Sequence, residues 1–451
     1  MPQRDTTLQK INSLAAHIGV IGLGYVGLPL ATTFGQNGYT VLGVDVDQRK
    51  LSALNHDESY IQDVPSSVVA SLRAAERFAA TDDYAALQHC EVIFICVPTP
   101  MTAQKAPDLA FIEAATRGIA GQLRAGQLII LQSTTYPGTT EEFVLPILSA
   151  TGLKVGQDFF LAFSPERIDP GHTHSAGYDV ANTPKVVGGV TPACTELAAA
   201  LLDHLTAKVH VVSSPRAAEM CKLLENTFRS VNIALVNELA LLSERMGIDV
   251  WEVIEAARTK PYGFMPFYPG AGVGGHCIPV DPYYLSWKAR EYDFFTRFIE
   301  FAADTNQRMP YHVVEVIGKA LNRVGKRIGG ARILVLGVAF KANIDDARNS
   351  PAERVIELLL EQGATITYSD PHVPEFHVGQ NVFHQSATTL CSRPFDDETL
   401  AACDCAVITT AHRAFDYEQI VRCAPLVVDA TNATRNVTEG REKIVRIGAP
   451  M

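Results

Sequence analysis

Residues 18–45 read IGVIGLGYVGLPLATTFGQNGYTVLGVD. An apolar run ends at Gly22, and a glycine turn follows as Gly22-x-Gly24-x-x-Gly27. A helical stretch then stops at Gly38, and a second apolar run ends in Asp45. The pattern predicts strand, turn, helix, strand. The glycines let the chain turn tightly and let a pyrophosphate reach backbone N–H groups at the helix N-terminus. Asp45 lies 21 residues after Gly24, where a carboxylate takes the ribose hydroxyls of an adenosine. Gly22, Gly24, Gly27 and Asp45 therefore predict a dinucleotide site. The acid favours NAD over NADP, because a 2′-phosphate would meet like charge; Arg49 works slightly against that preference.

Further strands are expected at 91–97 (EVIFICV), 128–132 (LIILQ) and 159–163 (FFLAF). Strands alternating with helical patterns imply a parallel, doubly wound sheet. The same grammar returns near the C-terminus. RILVLG (332–337) matches the first strand, and PAERVIELLLEQG (351–363) has Pro near its start and Gly at its end, as helices prefer. ATITYSDP (364–371) matches the second strand with its acidic end, and CDCAVITTAH (403–412) and LVVDATN (426–432) match later ones. Between the two lobes, 215–258 holds almost no turn signals, with Pro215 at its start and Gly247 as a stop. More helix is expected to about 325. The fold class is α/β: two doubly wound Rossmann-like lobes joined by a long helix and a central helical domain. The boundaries are 1–212, 213–325 and 326–451. The C-terminal lobe has only Gly337 at its turn, so it should not hold a dinucleotide in the same way.

The chain has 451 residues, 38 Lys+Arg against 49 Asp+Glu, and a net charge of −11. That balance argues against nucleic acid or an anionic membrane as partner. No apolar run reaches the 18 or so residues that span a bilayer, and MPQRDTTLQK does not lead into a signal-type apolar core. The nine cysteines are odd in number and include no CxxC, and Cys403 and Cys405 are too close for a zinc knuckle. A reducing, cytoplasmic setting and no metal are expected.

Three further motifs carry chemistry. In GAGVGGHCIPVDP (270–282), Cys277 follows Gly270, Gly272, Gly274 and Gly275, sits beside His276, and precedes Asp281 by four residues. A glycine-rich loop exposes backbone N–H groups, and a thiol there can serve as a nucleophile. The other eight cysteines read as small buried residues. Lys222, Asn226 and Arg229 fall at i, i+4 and i+7, one stripe of an otherwise apolar helix expected to be buried between the lobes and to offer a dimer face. In GVAFKANIDDARNSP (337–351), Lys341 and Arg348 are cations at a strand's C-terminal edge, suited to phosphate.

GLGYVGLP, STTYPGT (133–139), FSPERIDPG (163–171), the Lys222/Asn226 helix, GVGGHCIPVDP and GVAFKANIDDARNSP occur in that order. Together they resemble the UDP-glucose/GDP-mannose dehydrogenase family across essentially the whole chain. KVVGG (185–189) and HCIPVDPYYLSWKAREY (276–292) are most similar to its UDP-N-acetylglucosamine branch. UDP-glucose enzymes usually carry a SPEFLxEG-like string. Its second acid has no counterpart here, where Pro170 stands beside Asp169, and the Lys often found before the catalytic Asp is Val280.

The resemblance implies an NAD-dependent, four-electron oxidation of a sugar C6 alcohol to a carboxylate through a Cys277 thiohemiacetal and thioester. By the same resemblance, Lys222 and Asn226 flank the C6 oxygen, Asp281 assists deprotonation through water, and Glu166 activates or holds the hydrolytic water. Tyr25, Val26, Asp45, Arg49, Thr99 and Thr134 line NAD. Arg167, Ile168, Lys222, Asn226, Arg229, Gly274, His276, Phe340, Lys341 and Arg348 hold the UDP-sugar. A homodimer or higher homo-oligomer is implied too. UDP-N-acetylglucosamine is the leading substrate, before UDP-N-acetylmannosamine or N-acetylgalactosamine and then UDP-glucose. Two rival readings are a two-electron hydroxyacid dehydrogenase, which needs no nucleophilic Cys, and a silent nucleotide-sugar sensor, which would lack Cys277, Lys222 or Asp281.

Overall fold

The computed structural model describes residues 3–102, 104–168, 179–381 and 384–450. The chain divides into two compact units: residues up to 225 with 287–294, and residues 226–286 with those from 295 onward.

The first unit holds eight strands: β1 (His17–Ile21), β2 (Thr40–Val44), β3 (Phe78–Thr81), β4 (Val92–Ile95), β5 (Leu128–Leu131), β6 (Phe160–Phe163), β7 (Lys185–Gly189) and β8 (Val209–Val211). Their order in the sheet is β3-β2-β1-β4-β5-β6-β7-β8. Val92–Ile95, Leu128–Leu131 and Phe160–Phe163 are buried at every position, because helices cover both faces. Alternate residues feed two separate cores: Ile18, Val20, Phe94 and Ile130 on one face, Ile21, Ile93, Ile95 and Leu131 on the other. Each such side chain contributes roughly 1.5–3 kcal/mol by leaving water.

The expected parallel sheet is found, with one neighbouring pair of strands reversed. β7 runs antiparallel to β6, pairing Ala162 with Gly189 and Phe163 with Gly188. Among the described residues between β6 and β7 there is no helix, and a parallel neighbour would need a long crossover connection.

The second unit carries a five-stranded, all-parallel sheet of β9 (Arg332–Leu336), β10 (Thr365–Ser369), β13 (Cys405–Ile408), β14 (Val427–Asp429) and β15 (Ile444–Arg446), in the order β10-β9-β13-β14-β15. A hairpin of β11 (Glu375–Val378) and β12 (Thr388–Cys391) stands apart. The helix Pro215–Met246 runs its expected length and stops at Gly247, whose φ is +71°. Asp249 caps the next helix, Val250–Arg258, and a helix at Arg297–Arg323 completes the helical part.

Candidate active site

In the first unit the expected cofactor residues gather at the C-terminal ends of parallel strands, where doubly wound sheets bind ligands. Gly22, Gly24, Tyr25, Val26 and Gly27 form the turn after β1, Asp45 ends β2, Thr99 follows β4, and Thr134 follows β5. A Cβ on Gly22 would lie 2.6 Å from the Cys96 carbonyl oxygen, and one on Gly27 would lie 1.8 Å from the Gly22 oxygen. A Cβ on Gly24 would meet nothing within 4 Å. The turn is thus closed beneath and open above, the cradle a pyrophosphate needs. Asp45 is buried; its Oδ2 accepts from Leu23 N at 2.8 Å and Lys50 Nζ at 2.9 Å, and its Oδ1 from Asp47 N at 2.9 Å. Arg49 points away into solvent, its side chain 92% exposed and paired with Asp47.

Glu166, Arg167 and Ile168 follow β6. Glu166 Oε1 accepts from Arg167 N at 2.7 Å and Ile168 N at 2.9 Å, and Oε2 from Gln132 Nε2 at 2.9 Å. Arg167 pairs with Glu225 at 2.6 Å and donates to the Pro184 carbonyl at 2.8 Å. Asp169 and Pro170 lie outside the described residues. Glu219, buried in the long helix, accepts from Gly138 N at 2.6 Å and Thr140 N at 2.9 Å, fixing the turn that follows Thr134. Burial pushes its carboxyl up, against those hydrogen bonds.

On the long helix Lys222 and Arg229 are half-buried and Asn226 is buried. The helix is not apolar and buried all round. Met220, Leu224, Phe228, Leu235, Leu239, Leu242 and Met246 are 40–61% exposed, so the polar stripe has an exposed apolar edge on the same helix. In the second unit Asn226 Nδ2 donates to Asp281 Oδ2 at 2.5 Å. Asp281 opens the helix Asp281–Ala289, and its N–H donates to the Cys277 carbonyl at 2.9 Å. One tight turn therefore separates the exposed Cys277 from the buried acid.

Three of the four glycines before Cys277, Gly272, Gly274 and Gly275, are closely packed, and a Cβ on Gly270 would meet nothing within 4 Å. A Cβ on Gly274 would lie 2.7 Å from Phe340 Cβ and 2.8 Å from the Asn349 oxygen. Gly275 N donates to the Arg348 carbonyl at 3.2 Å, and Asn349 Nδ2 returns a bond to the Gly275 carbonyl at 3.1 Å. Gly274, His276, Phe340 and Arg348 are thereby brought to one place. Lys341 is half-buried next to Phe340, and the exposed Arg348 forks onto Asp346. Crowding around the His276 ring, aided by the Arg348 charge, holds that imidazole below its usual range despite its exposed edge.

The turn after the first strand of the second unit is braced by an acid in the same way as that of the first. Asp370, just past β10, accepts from Val338 N and Ala339 N, as Asp45 does from Leu23 N. It also takes His412 Nε2 at 3.0 Å and the His372 and Val373 amides, so its carboxylate is occupied by its own fold.

Sequence reasoning passed over several residues. Gln132 and Lys185 both bond Glu166. Asn237 accepts from Gly270 N at 3.1 Å and donates to Asn306 at 2.9 Å, anchoring the start of the Cys277 loop. No local pattern marks that pair: Asn237 is followed by Glu238, and Asn306 sits in the polar run DTNQR. Among the described residues, no group of three or more His, Cys, Asp or Glu side chains could hold a metal, and no helix is long and apolar enough to cross a membrane.

Three family models match in order: the UDP-glucose/GDP-mannose dehydrogenase NAD binding domain over residues 16–206, the central domain over 216–308 and the UDP binding domain over 334–436. The chain belongs to the UDP-glucose/GDP-mannose dehydrogenase family. NAD is its cofactor, and the glycine turn with Asp45 fits that cofactor. The UDP binding domain indicates a UDP-sugar as the class of substrate. The chain is 38% identical to the UDP-N-acetyl-D-glucosamine 6-dehydrogenase of Pseudomonas aeruginosa over 400 residues, 88% of this chain and 91% of that one. It is 37% identical to the UDP-N-acetyl-D-mannosamine dehydrogenase of Pyrococcus horikoshii over 363 residues, 80% of this chain and 84% of that one. Among solved structures, a UDP-D-ManNAc dehydrogenase from Pyrococcus horikoshii superposes with a TM-score of 0.85 at 32% identity, covering 96% of this chain and 99% of that one.

Proposed function

We propose that this member of the family oxidises the C6 alcohol of UDP-N-acetylglucosamine to the carboxylate in two steps, through a covalent bond to Cys277. The observation that carries the mechanism is the Cys277 turn: an exposed thiol, four residues before a buried carboxylate that Asn226 holds at 2.5 Å. Bound NAD⁺ supplies the hydride acceptor, twice per sugar. Lys222 and Asn226 lie one helical turn apart and hold the C6 oxygen, donating to the charge that grows on it. Asp281 takes up the alcohol proton through water.

An aldehyde has no carbinol hydrogen beside an oxygen that can lose a proton. Addition of the Cys277 sulfur to the aldehyde carbon, with the proton passing to the oxygen, restores that arrangement as a thiohemiacetal. The second oxidation leaves a thioester. Water breaks the C–S bond, and the thiol and the free carboxylate are released. Tyr25, Val26, Thr99 and Thr134 line the cofactor, with Arg49 at the adenosine end. Arg167, Ile168, Arg229, Gly274, His276, Phe340, Lys341 and Arg348 hold the UDP-sugar.

The strings FSPERIDPG and HCIPVDPYYLSWKAREY, and the likeness to the Pseudomonas enzyme, support the N-acetylglucosamine assignment. The nine cysteines form no disulfide, which suits a reducing cytoplasm. The exposed apolar edge of the long helix supports a homodimer.

NADH yield per sugar decides the reading. Native enzyme with limiting UDP-N-acetylglucosamine should give two NADH, with less turnover on UDP-N-acetylmannosamine and UDP-glucose. Cys277→Ser should stall after one at most. One NADH from the native enzyme, or a Cys277→Ser enzyme that still yields two, overturns the mechanism; faster turnover of another sugar overturns the substrate.

A further inference from the structure

Lys185 is 1% exposed, and its Nζ lies 2.7 Å from Glu166 Oε2. Lysine is almost never so deeply buried without a partner. Gln132 donates to the same oxygen, and the Arg167 and Ile168 amides occupy the other. A carboxylate offers about four lone-pair positions, and here four donors fill them. The reversed strand explains how a lysine reaches this place. β7 starts with Lys185 and runs antiparallel to β6, so its first residue lies at the edge where β6 and the parallel strands beside it end. In a parallel strand the first residue would stand at the far edge.

We propose that Lys185 is a positioning residue for the reaction: it holds Glu166 as a permanent anion, aimed by Gln132, whose charge fixes the Arg167–Ile168 backbone under the substrate. The proposal rests on the assignment of Glu166, Arg167 and Ile168 to the substrate site. Burial alone would raise the Glu166 carboxyl; Lys185 and the two backbone amides outweigh it and keep the carboxyl below its ordinary range. Among the described residues, the ionisable neighbours Cys96 and Arg167 do not share the task. Burial, with the Glu166 charge, keeps the Cys96 thiol protonated after β4. Arg167 is engaged by Glu225, whose carboxylate also faces Cys221 at 3.8 Å. Glu166 then enters each turnover with the same charge.

Carboxyl ¹³C NMR of glutamate-labelled protein tests this, with the Glu166 signal identified by its absence from the Glu166→Gln/Lys185→Met double variant. In the native protein the signal should stay that of an anion from about pH 8 to about pH 5. In Lys185→Met it should titrate within that window, and kcat should gain an acid limb at the same midpoint. That limb should be missing from the double variant, because glutamine does not titrate. A native Glu166 that titrates inside the window overturns the proposal, even where Lys185→Met does not fold. So does a Lys185→Met signal that stays anionic, or an acid limb that survives in the double variant. A Glu166→Gln enzyme with native turnover would instead remove Glu166 from the proposed active site, while the native titration still reads Lys185.

Discussion

Asn226 Nδ2 donates to Asp281 Oδ2 at 2.5 Å, with both residues only 4% exposed. The amide comes from inside the long helix and the acid from the first position of another, so two helices fix one hydrogen bond. Removing a donor from a buried carboxylate costs about 1–3 kcal/mol. Asn226→Ala should lower the urea midpoint accordingly, and turnover should drop on the order of 10²-fold, the loss typical of one donor to a developing oxyanion. Asn226→Asp should do more damage, because it sets two carboxylates against each other. Native stability and native rate in Asn226→Ala would sink the assignment.

Cysteine labelling should separate Cys277 from the buried thiols. Burial pushes Cys90 up to about 12 and Cys403 up to about 11, and it raises Cys96 and Cys405 as well. The thiolate is the reactive form, so these four should resist iodoacetamide in the folded protein near pH 8. Cys277 is exposed, and so is Cys391, against the expectation that the other eight are buried; both should label. UDP-sugar should protect Cys277 and leave Cys391 unchanged, as read by peptide mass spectrometry. Equal protection at both would place the sugar away from Cys277.

The glycine turn gives opposite expectations at two positions. Gly24→Ala adds a methyl that meets no protein atom, so the unfolding temperature without cofactor should be unchanged. The same methyl occupies the opening above the turn, and NAD affinity should fall about tenfold or more, measured by fluorescence quenching. Gly27→Ala drives a methyl into the Gly22 carbonyl and should destabilise the unit itself. Loss of stability in Gly24→Ala, or undiminished affinity, would contradict the cradle.

Local patterns made much of this legible. Gly22, Asp45 and Asp370 follow from spacing alone, because each strand-turn-helix unit is contiguous in sequence, and Asp370 bonds its turn as Asp45 does. Lys185 was not legible. KVVGG reads equally well as a parallel or a reversed strand, and only the pairing with β6 shows why its lysine reaches Glu166. Asn237 was hidden for a related reason: its partners Gly270 and Asn306 are 33 and 69 residues away. Periodicity reports a helix's faces, and does not report what lies against them.

His276 should titrate below the usual imidazole value of 6.5, since crowding and then the Arg348 charge disfavour its cation. The fold therefore binds this proton less well than the unfolded chain does. Its contribution to stability is present above the unfolded pKa and is lost as pH falls through the folded one. Arg348→Ala removes a nearby cation and frees Asp346, and both changes raise the His276 pKa. Proton NMR of the ring would show an upward shift; a downward one would place Arg348 away from the ring.

The long helix supplies the last expectation. Met220, Leu224, Phe228, Leu235, Leu239, Leu242 and Met246 recur at intervals of three, four and seven, the spacing of one helical edge. Lone exposed apolar residues are common on a protein surface, but seven in register along one 32-residue helix form a continuous strip. Two copies of the strip packed against each other would bury both, which is how a two-fold axis makes one patch serve twice. Leu235→Glu with Leu242→Glu places two charges on each strip and four across a symmetric pair. Light scattering should then find a dimer for the native chain and a monomer for the double variant, with the mid-point of dissociation moving to higher protein concentration at low salt, where the charges are least screened. A native chain that is monomeric at micromolar concentration, or a double variant that stays dimeric, would assign the strip to some other surface of contact.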